Sequence, residues 1–347
     1  MKVKTLLLIA SVFHTYSLFS QAGVGVYRFL DLPVSSRIGA LGGNNISLRD
    51  NDLNFAFTNP SLLTPETDGV IGLNYSNYLA DIQFGTAIFG RNFGDKNYAA
   101  IGIQYVDLGD FDGRDEVNNP TGTFYAKDMA LHLIYARPLN KYFTVGGTFK
   151  PIVSAYERYT SIGAALDAGV NYRDSTGLFS AGLVLKNIGF QFKSYRTDED
   201  GQHREPLPFD IQLGGSLKFK HAPLRISMTL NSLNHWDLRY QSENQPETTI
   251  DNTSSDKGVS FIDMAFRHTV LGVEFIPSNN FYLAASYNHR RSREMSIEGF
   301  RSTAGFSFGG GIKLYKFHVG FGVVQYQRGV YTSQFSISTS LKEFSGM

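Results

Sequence analysis

The sequence predicts an all-β protein: a transmembrane outer-membrane β-barrel of fourteen strands with an N-terminal hatch in its lumen. Three observations carry this. The composition favours strands and tight turns, with 28 Phe, 19 Tyr and 35 Gly in 347 residues and only 18% charged residues. From residue 68 onward, apolar and polar residues alternate with period two. The links between the alternating runs are themselves sorted, short ones following even strands and long polar ones following odd strands.

Lys2 and Lys4 precede an apolar run from Leu6 to Ala10 that continues through mixed residues to Phe19, with Ser20 just before Gln21. A positive start, an apolar middle and a small residue at the end read as a Sec signal peptide over residues 1–20, so export is expected. The run is broken by His14, Thr15, Tyr16 and Ser17, too polar and short to span about 30 Å of hydrocarbon. No later stretch approaches the roughly 18 apolar residues of a membrane helix, and the mean hydropathy is −0.17. A barrel escapes that test because only alternate residues face lipid.

Residues 21–67 precede the first clear strand and read as a hatch. Gly and Pro punctuate them, in GALGG at 39–43 and in Asn59, Pro60, Ser61, Leu62, Leu63. Their apolar residues, among them Phe29, Ile38, Leu41, Leu53, Phe55 and Phe57, need burial, which argues for a lumen filler over a disordered extension. The barrel is assigned to 68–347. Its strands are expected near 68–78, 80–93, 97–108, 124–137, 142–157, 162–174 and 178–193, then near 207–220, 223–239, 261–277, 280–294, 303–316, 317–328 and 331–343. The alternation is clear in 211–219, where Ile211, Leu213, Leu217 and Phe219 share one face and Gln212, Ser216 and Lys218 the other. The long links, about 109–123, 194–207, 240–260 and 289–302, are expected outside the cell, and turns such as 93–97 and 138–141 in the periplasm. A soluble β-sandwich has no reason to sort its links in this way.

The chain has no Cys, so disulfide frameworks, Cys-ligated metals, a Cys nucleophile and a Cys lipid anchor are excluded. A net charge of +1 gives no basic field for nucleic acid, and no nucleic-acid partner is expected. The histidines lack zinc-site spacing, Ser254 and Lys257 match S-x-x-K only inside a polar loop, and the Gly-rich stretches lack G-x-G-x-x-G. No catalysis, cofactor or resident metal is expected. Asp107, Asp110, Asp112, Asp115 and Glu116 have the oxygen chemistry of a Ca²⁺ loop without its order, and read as a solvated outer loop. Arg290, Arg291, Arg293 and Arg301 form a basic loop set whose guanidinium forks suit lipopolysaccharide phosphates or an acidic partner.

The segment YRFLDLPVSSRIGALGGNNISLRDNDLNFAFTNPSLL (27–63), followed by fourteen strands, resembles the PorQ family of the Bacteroidetes type IX secretion system, related to PorV and more distantly to FadL-like barrels. The specific part is FLDLP, then ALGG, then the NPSLL segment. Asn59, Pro60 and Leu62 form a hatch motif that FadL-like barrels share. The resemblance implies an outer-membrane barrel of the attachment complex, without catalysis of its own. It would anchor a PorZ-like surface protein near a PorU-like sortase and a PorV-like barrel. A FadL-like transporter of hydrophobic small molecules shares the same fold and hatch, and is the competing expectation.

Overall fold

The computed structural model describes residues 25–78, 82–198, 201–238, 260–295, 303–327 and 330–344. The signal peptide expected at 1–20, Arg301, the Ser254 and Lys257 pair and nearly all of loop 240–260 lie outside the described residues.

Fourteen antiparallel strands close into one barrel. They are β1 (Val70–Asn77), β2 (Gln83–Asn92), β3 (Tyr98–Arg114), β4 (Pro120–Pro138), β5 (Phe143–Tyr156), β6 (Tyr159–Arg173) and β7 (Phe179–Lys193). Then come β8 (Asp210–Lys218), β9 (Leu224–Leu230), β10 (Thr269–Ser278), β11 (Phe281–Asn288), β12 (Phe306–Leu314), β13 (Phe317–Gln327) and β14 (Val330–Ser340). Each strand pairs with its sequence neighbours, and β1 closes on β14 with Val70 opposite Ser340 and Tyr75 opposite Phe335.

The alternation is inverted relative to a soluble protein. On β4, Met129, Leu133 and Tyr135 are 40–46% exposed while Ala130, His132 and Ile134 are buried. The same outward row recurs in Ile101 and Ile103 on β3, Leu213 and Leu217 on β8, and Ile226 and Met228 on β9. An apolar belt around a closed barrel with no strand edge is what a membrane-spanning sheet requires, because every backbone group is paired within the sheet.

At one end the links are tight, spanning 93–97, 139–142, 174–178, 219–223, 279–280 and 315–316; the other end carries 194–209, 231–268 and 289–305. Four sequence expectations are corrected here. Residues 109–114 and 120–123 continue β3 and β4, leaving a tip of only 115–119. They did not read as strand because both faces stand in water above the belt, where no apolar alternation is needed. The strand expected over 223–239 stops at Leu230. Those expected over 261–277 and 280–294 each contain a helix, Phe261–Arg267 and His289–Glu294.

The segment before β1 lies inside the barrel. The short helix α1 (Ser36–Ala40) packs on β11 to β14, and the 3-10 turns Leu53–Phe57 and Pro60–Leu62 pack on β1 and β2 and on β4 to β6. The helices near the long-loop end are α2 (Phe261–Arg267) and α3 (His289–Glu294). Ile38, Leu41, Ile46, Leu48 and Phe55 are at most 1% exposed, so this segment supplies the core that the inward wall, built largely of Gly, Ser, Thr and Gln, does not.

Candidate functional site

The internal segment is fastened by polar contacts. Asn59 is fully buried; its Oδ1 accepts from the Ser61 backbone N–H (3.0 Å) and its Nδ2 donates to the Ile46 carbonyl (2.8 Å). Pro60, at the first position of its 3-10 turn, lies against β5, where a Cβ at Gly146 would come within 2.7 Å of the Pro60 carbonyl carbon. Leu62 is buried beside them. The motif residues Asn59, Pro60 and Leu62 thus sit together against the inner wall.

A second fastening joins α1 to β9 and β10. Arg37 Nε donates to Glu274 Oε1 (2.9 Å) and its Nη2 to Asp50 Oδ2 (2.7 Å), while Arg225 Nε donates to Glu274 Oε2 (2.8 Å). The Arg37 guanidinium also lies 4.6 Å from the Tyr282 ring centre. Asp52 Oδ2 lies 3.5 Å from Arg37 Nη1, so two cations and three acids share one network in the low-dielectric lumen.

Above this segment, at the long-loop end, a cavity of about 380 Å³ opens. Val26, Tyr27, Phe29 and Leu32 form its base, and β3 contributes Val106 and Leu108. Asp128 on β4, Tyr156 on β5 and Tyr195 after β7 form a polar cluster in the lining, to which Arg28 and Glu205 add charged groups. Tyr156 OH donates to Asp128 Oδ2 (2.9 Å), the Ser154 hydroxyl bonds Asp128 Oδ1, and Tyr195 OH donates to Ser154 Oγ (2.5 Å). The Tyr156 and Tyr195 rings stack with centres 5.0 Å apart.

Tyr27 is held by Ser161, with OH and Oγ 2.6 Å apart, and Gln191 Nε2 donates to the same Oγ (2.7 Å). Its ring fits because position 163 is Gly: a Cβ there would come within 2.6 Å of Tyr27 Cε2. Gln104 Nε2 donates to the Phe29 carbonyl (2.7 Å), which fixes the base of the cavity to β3. Burial raises the phenol pKa of Tyr27, Tyr78 and Tyr195, so these groups remain protonated at neutral pH. The cavity has the size and the mostly apolar lining, with a few converging polar groups, of a small-molecule site.

The four-arginine set expected from the sequence is only partly assembled. Arg290, Arg291 and Arg293 share α3, and Arg301 lies outside the described residues. Arg290 Nε pairs with Glu294 (2.7 Å), Arg293 with Asp263 on α2 (3.1 Å), and Arg291 lies 4.5 Å from the centre of the Tyr326 ring. Asp107 pairs with Lys127 (3.6 Å), and Asp115 closes the tip 115–119 by accepting from the Val117 and Asn119 backbone N–H groups. Among the described residues no three His, Asp or Glu side chains converge as a metal site would require. The cavity was missed in the sequence because its lining comes from segments spread between residues 25 and 205.

Fold and lining together define a closed, membrane-spanning barrel with an internal segment and a small pocket above it. No protein-family model matches the sequence, and no curated protein matches it. Solved barrels do. The Pseudomonas putida toluene transporter TodX aligns with a TM-score of 0.53 at 10% identity, covering 88% of this chain and 96% of its own. The CymD monoaromatic hydrocarbon channel aligns with a TM-score of 0.50 at 12% identity, covering 90% and 97%. At such identities the likeness is one of fold.

Proposed function

We propose that the protein is an outer-membrane barrel of the FadL-like kind that takes small hydrophobic molecules into a pocket between its outer rim and its internal hatch. The observation that carries this reading is the 380 Å³ cavity, apolar at its base and polar at one wall, set directly above the buried hatch. The fold shared with a toluene transporter and a monoaromatic hydrocarbon channel supports it. In this reading the long-loop end faces outward, the tight turns face the periplasm, and residues 1–20 are the export signal. Asn59, Pro60 and Leu62 hold the hatch in register with the wall.

A second reading has one observation of its own. Beyond the apolar belt β3 and β4 continue as a free hairpin, on which Phe111 and Phe124 stack at 5.3 Å and Val117 is 76% exposed. Exposed apolar groups on a projecting ribbon suit docking of a surface protein. This is the anchoring role that the PorQ resemblance implies, with a PorZ-like partner near a PorU-like sortase and a PorV-like barrel. The α3 arginines and Arg301 would then meet lipopolysaccharide or the partner.

Affinity purification of the tagged protein from solubilised outer membranes, with mass spectrometry of bound proteins and bound small molecules, tests the two readings. Recovery alone with an apolar small molecule is the result expected for uptake. Recovery with a large surface protein, a sortase and a second barrel, and with no such molecule, would overturn it in favour of anchoring.

A further inference from the structure

One wall of the pocket holds a buried carboxylate with no counter-charge. Asp128 is 5% exposed and lines the cavity. Its two oxygens accept from the Ser154 and Tyr156 hydroxyls, both neutral donors. Among the described residues no cationic side chain pairs with it. Lys127 precedes it but faces the other side of the wall and pairs with Asp107 (3.6 Å). Arg28, at the mouth of the pocket, pairs with Asp31 (3.4 Å). A carboxylate taken out of water without a cation is costly, and the cost falls when a cation arrives.

The other walls suit the same visitor. Tyr27, Tyr78, Tyr156 and Tyr195 line the cavity, and electron-rich ring faces attract organic cations. Glu205 adds a second acid at the rim. We propose that this pocket takes an amphipathic organic cation, an ammonium group on an aromatic or short alkyl body. The ammonium pairs with Asp128 and the body lies on Val26, Phe29 and Val106. An anionic amphiphile such as a fatty acid would bring its carboxylate against Asp128 and Glu205, so the same geometry disfavours it. The inference rests on the reading of the cavity as a ligand site.

The test uses three probes with one aromatic body: phenethylamine, ethylbenzene and phenylacetate. Their binding to the full barrel in lipid nanodiscs is measured by equilibrium dialysis against empty nanodiscs, for the parent and for Asp128→Asn, which keeps the side-chain shape. Charge-assisted hydrogen bonds set the scale, so phenethylamine should bind about tenfold or more tighter than phenylacetate, and Asp128→Asn should remove that preference. Phenylacetate binding as tightly as phenethylamine, or a preference that survives Asp128→Asn, overturns the cation assignment alone. Absence of binding by all three probes overturns both this assignment and the uptake reading. Retained heat-modifiable mobility on gels separates a folded variant from a failed one.

Discussion

Arg37 of the internal segment and Glu274 of β10 are 237 positions apart in sequence and joined by a 2.9 Å hydrogen bond. Glu274 is 1% exposed and also receives Arg225, so the hatch is held by ions that water does not screen. Removing one member of a buried pair leaves the rest uncompensated, at roughly 3–5 kcal/mol. Glu274→Leu is therefore expected to loosen residues 25–67 while the barrel stays closed. Protease treatment of the detergent-purified variant checks this: cleavage before β1 that the parent resists is predicted, and parent-like resistance would remove the network from the account.

Gly146 faces Pro60 so closely that a Cβ would lie 2.7 Å from its carbonyl carbon and 2.8 Å from the Ser61 nitrogen, both backbone atoms. Gly146→Val forces the hatch motif off the wall, with an overpacking cost of about 1–3 kcal/mol. Gly147 points to the other face, where the nearest atom is the Asp167 carbonyl oxygen at 3.5 Å. Chemical denaturation should show Gly146→Val losing stability and Gly147→Ala little changed.

The outward row predicts a sided response to charge. Leu213 is 45% exposed in the belt, and Leu213→Arg should cost about 2–4 kcal/mol near the membrane midplane. The inward neighbour Gln212, read from the alternation alone, looks tolerant of Arg. It is instead 2% exposed, with its Nε2 on Asp210 Oδ2 (2.6 Å), so Gln212→Arg also destabilises, by crowding the filled lumen. Refolding yield into lipid vesicles separates the two: thinner bilayers should ease Leu213→Arg and leave Gln212→Arg unchanged.

A pH response is expected at the α2 and α3 contact. Burial pushes the Asp263 carboxyl up, but hydrogen bonds from His289 and Arg267 and the charges of Arg267 and Arg293 outweigh it and hold it at about 2. A carboxylate whose folded pKa is depressed stabilises the contact above its unfolded value, about 3.9, and that contribution is lost as pH falls towards 2. Trp236, the single Trp of the chain, stacks on Phe261 of α2 at 5.0 Å and reports the contact. Its emission should change between about pH 4 and 2, and Asp263→Asn should show the acid-like emission already at pH 7. Parent-like emission in Asp263→Asn at pH 7 would contradict this.

The barrel was legible because lipid on one side and a filled lumen on the other force strict alternation, as in Leu213 against Gln212. Where that constraint ends, so did the reading. FIDMAFR at 261–267 is apolar enough to pass for a strand, yet Ser260 caps it by accepting from Ile262 N–H, and Asp263 and Arg267 pair four residues apart. That Ser, Asp and Arg spacing was the available helix signal. Asn288, the last residue of β11, is a similar cap for His289–Glu294, its side-chain Oδ1 accepting from Arg291 N–H (3.0 Å). The internal segment that carries Asn59, Pro60 and Leu62 could be located from its Gly and Pro punctuation and its apolar residues, and the motif itself from the resemblance. Its wall partner could not, because Gly146 meets it only through closure of the barrel.

The central claim is that the cavity above the hatch receives a small apolar body, and filling it tests this most directly. Leu108 lines the cavity from β3 and is only partly buried, so Leu108→Trp can enter the space without disturbing the core. Ethylbenzene binding to the parent in nanodiscs, above the lipid background, should fall by about tenfold or more in Leu108→Trp, since an occluded pocket forfeits most of the apolar burial of the ligand. Equal binding to the two proteins, or none to the parent, would contradict the account.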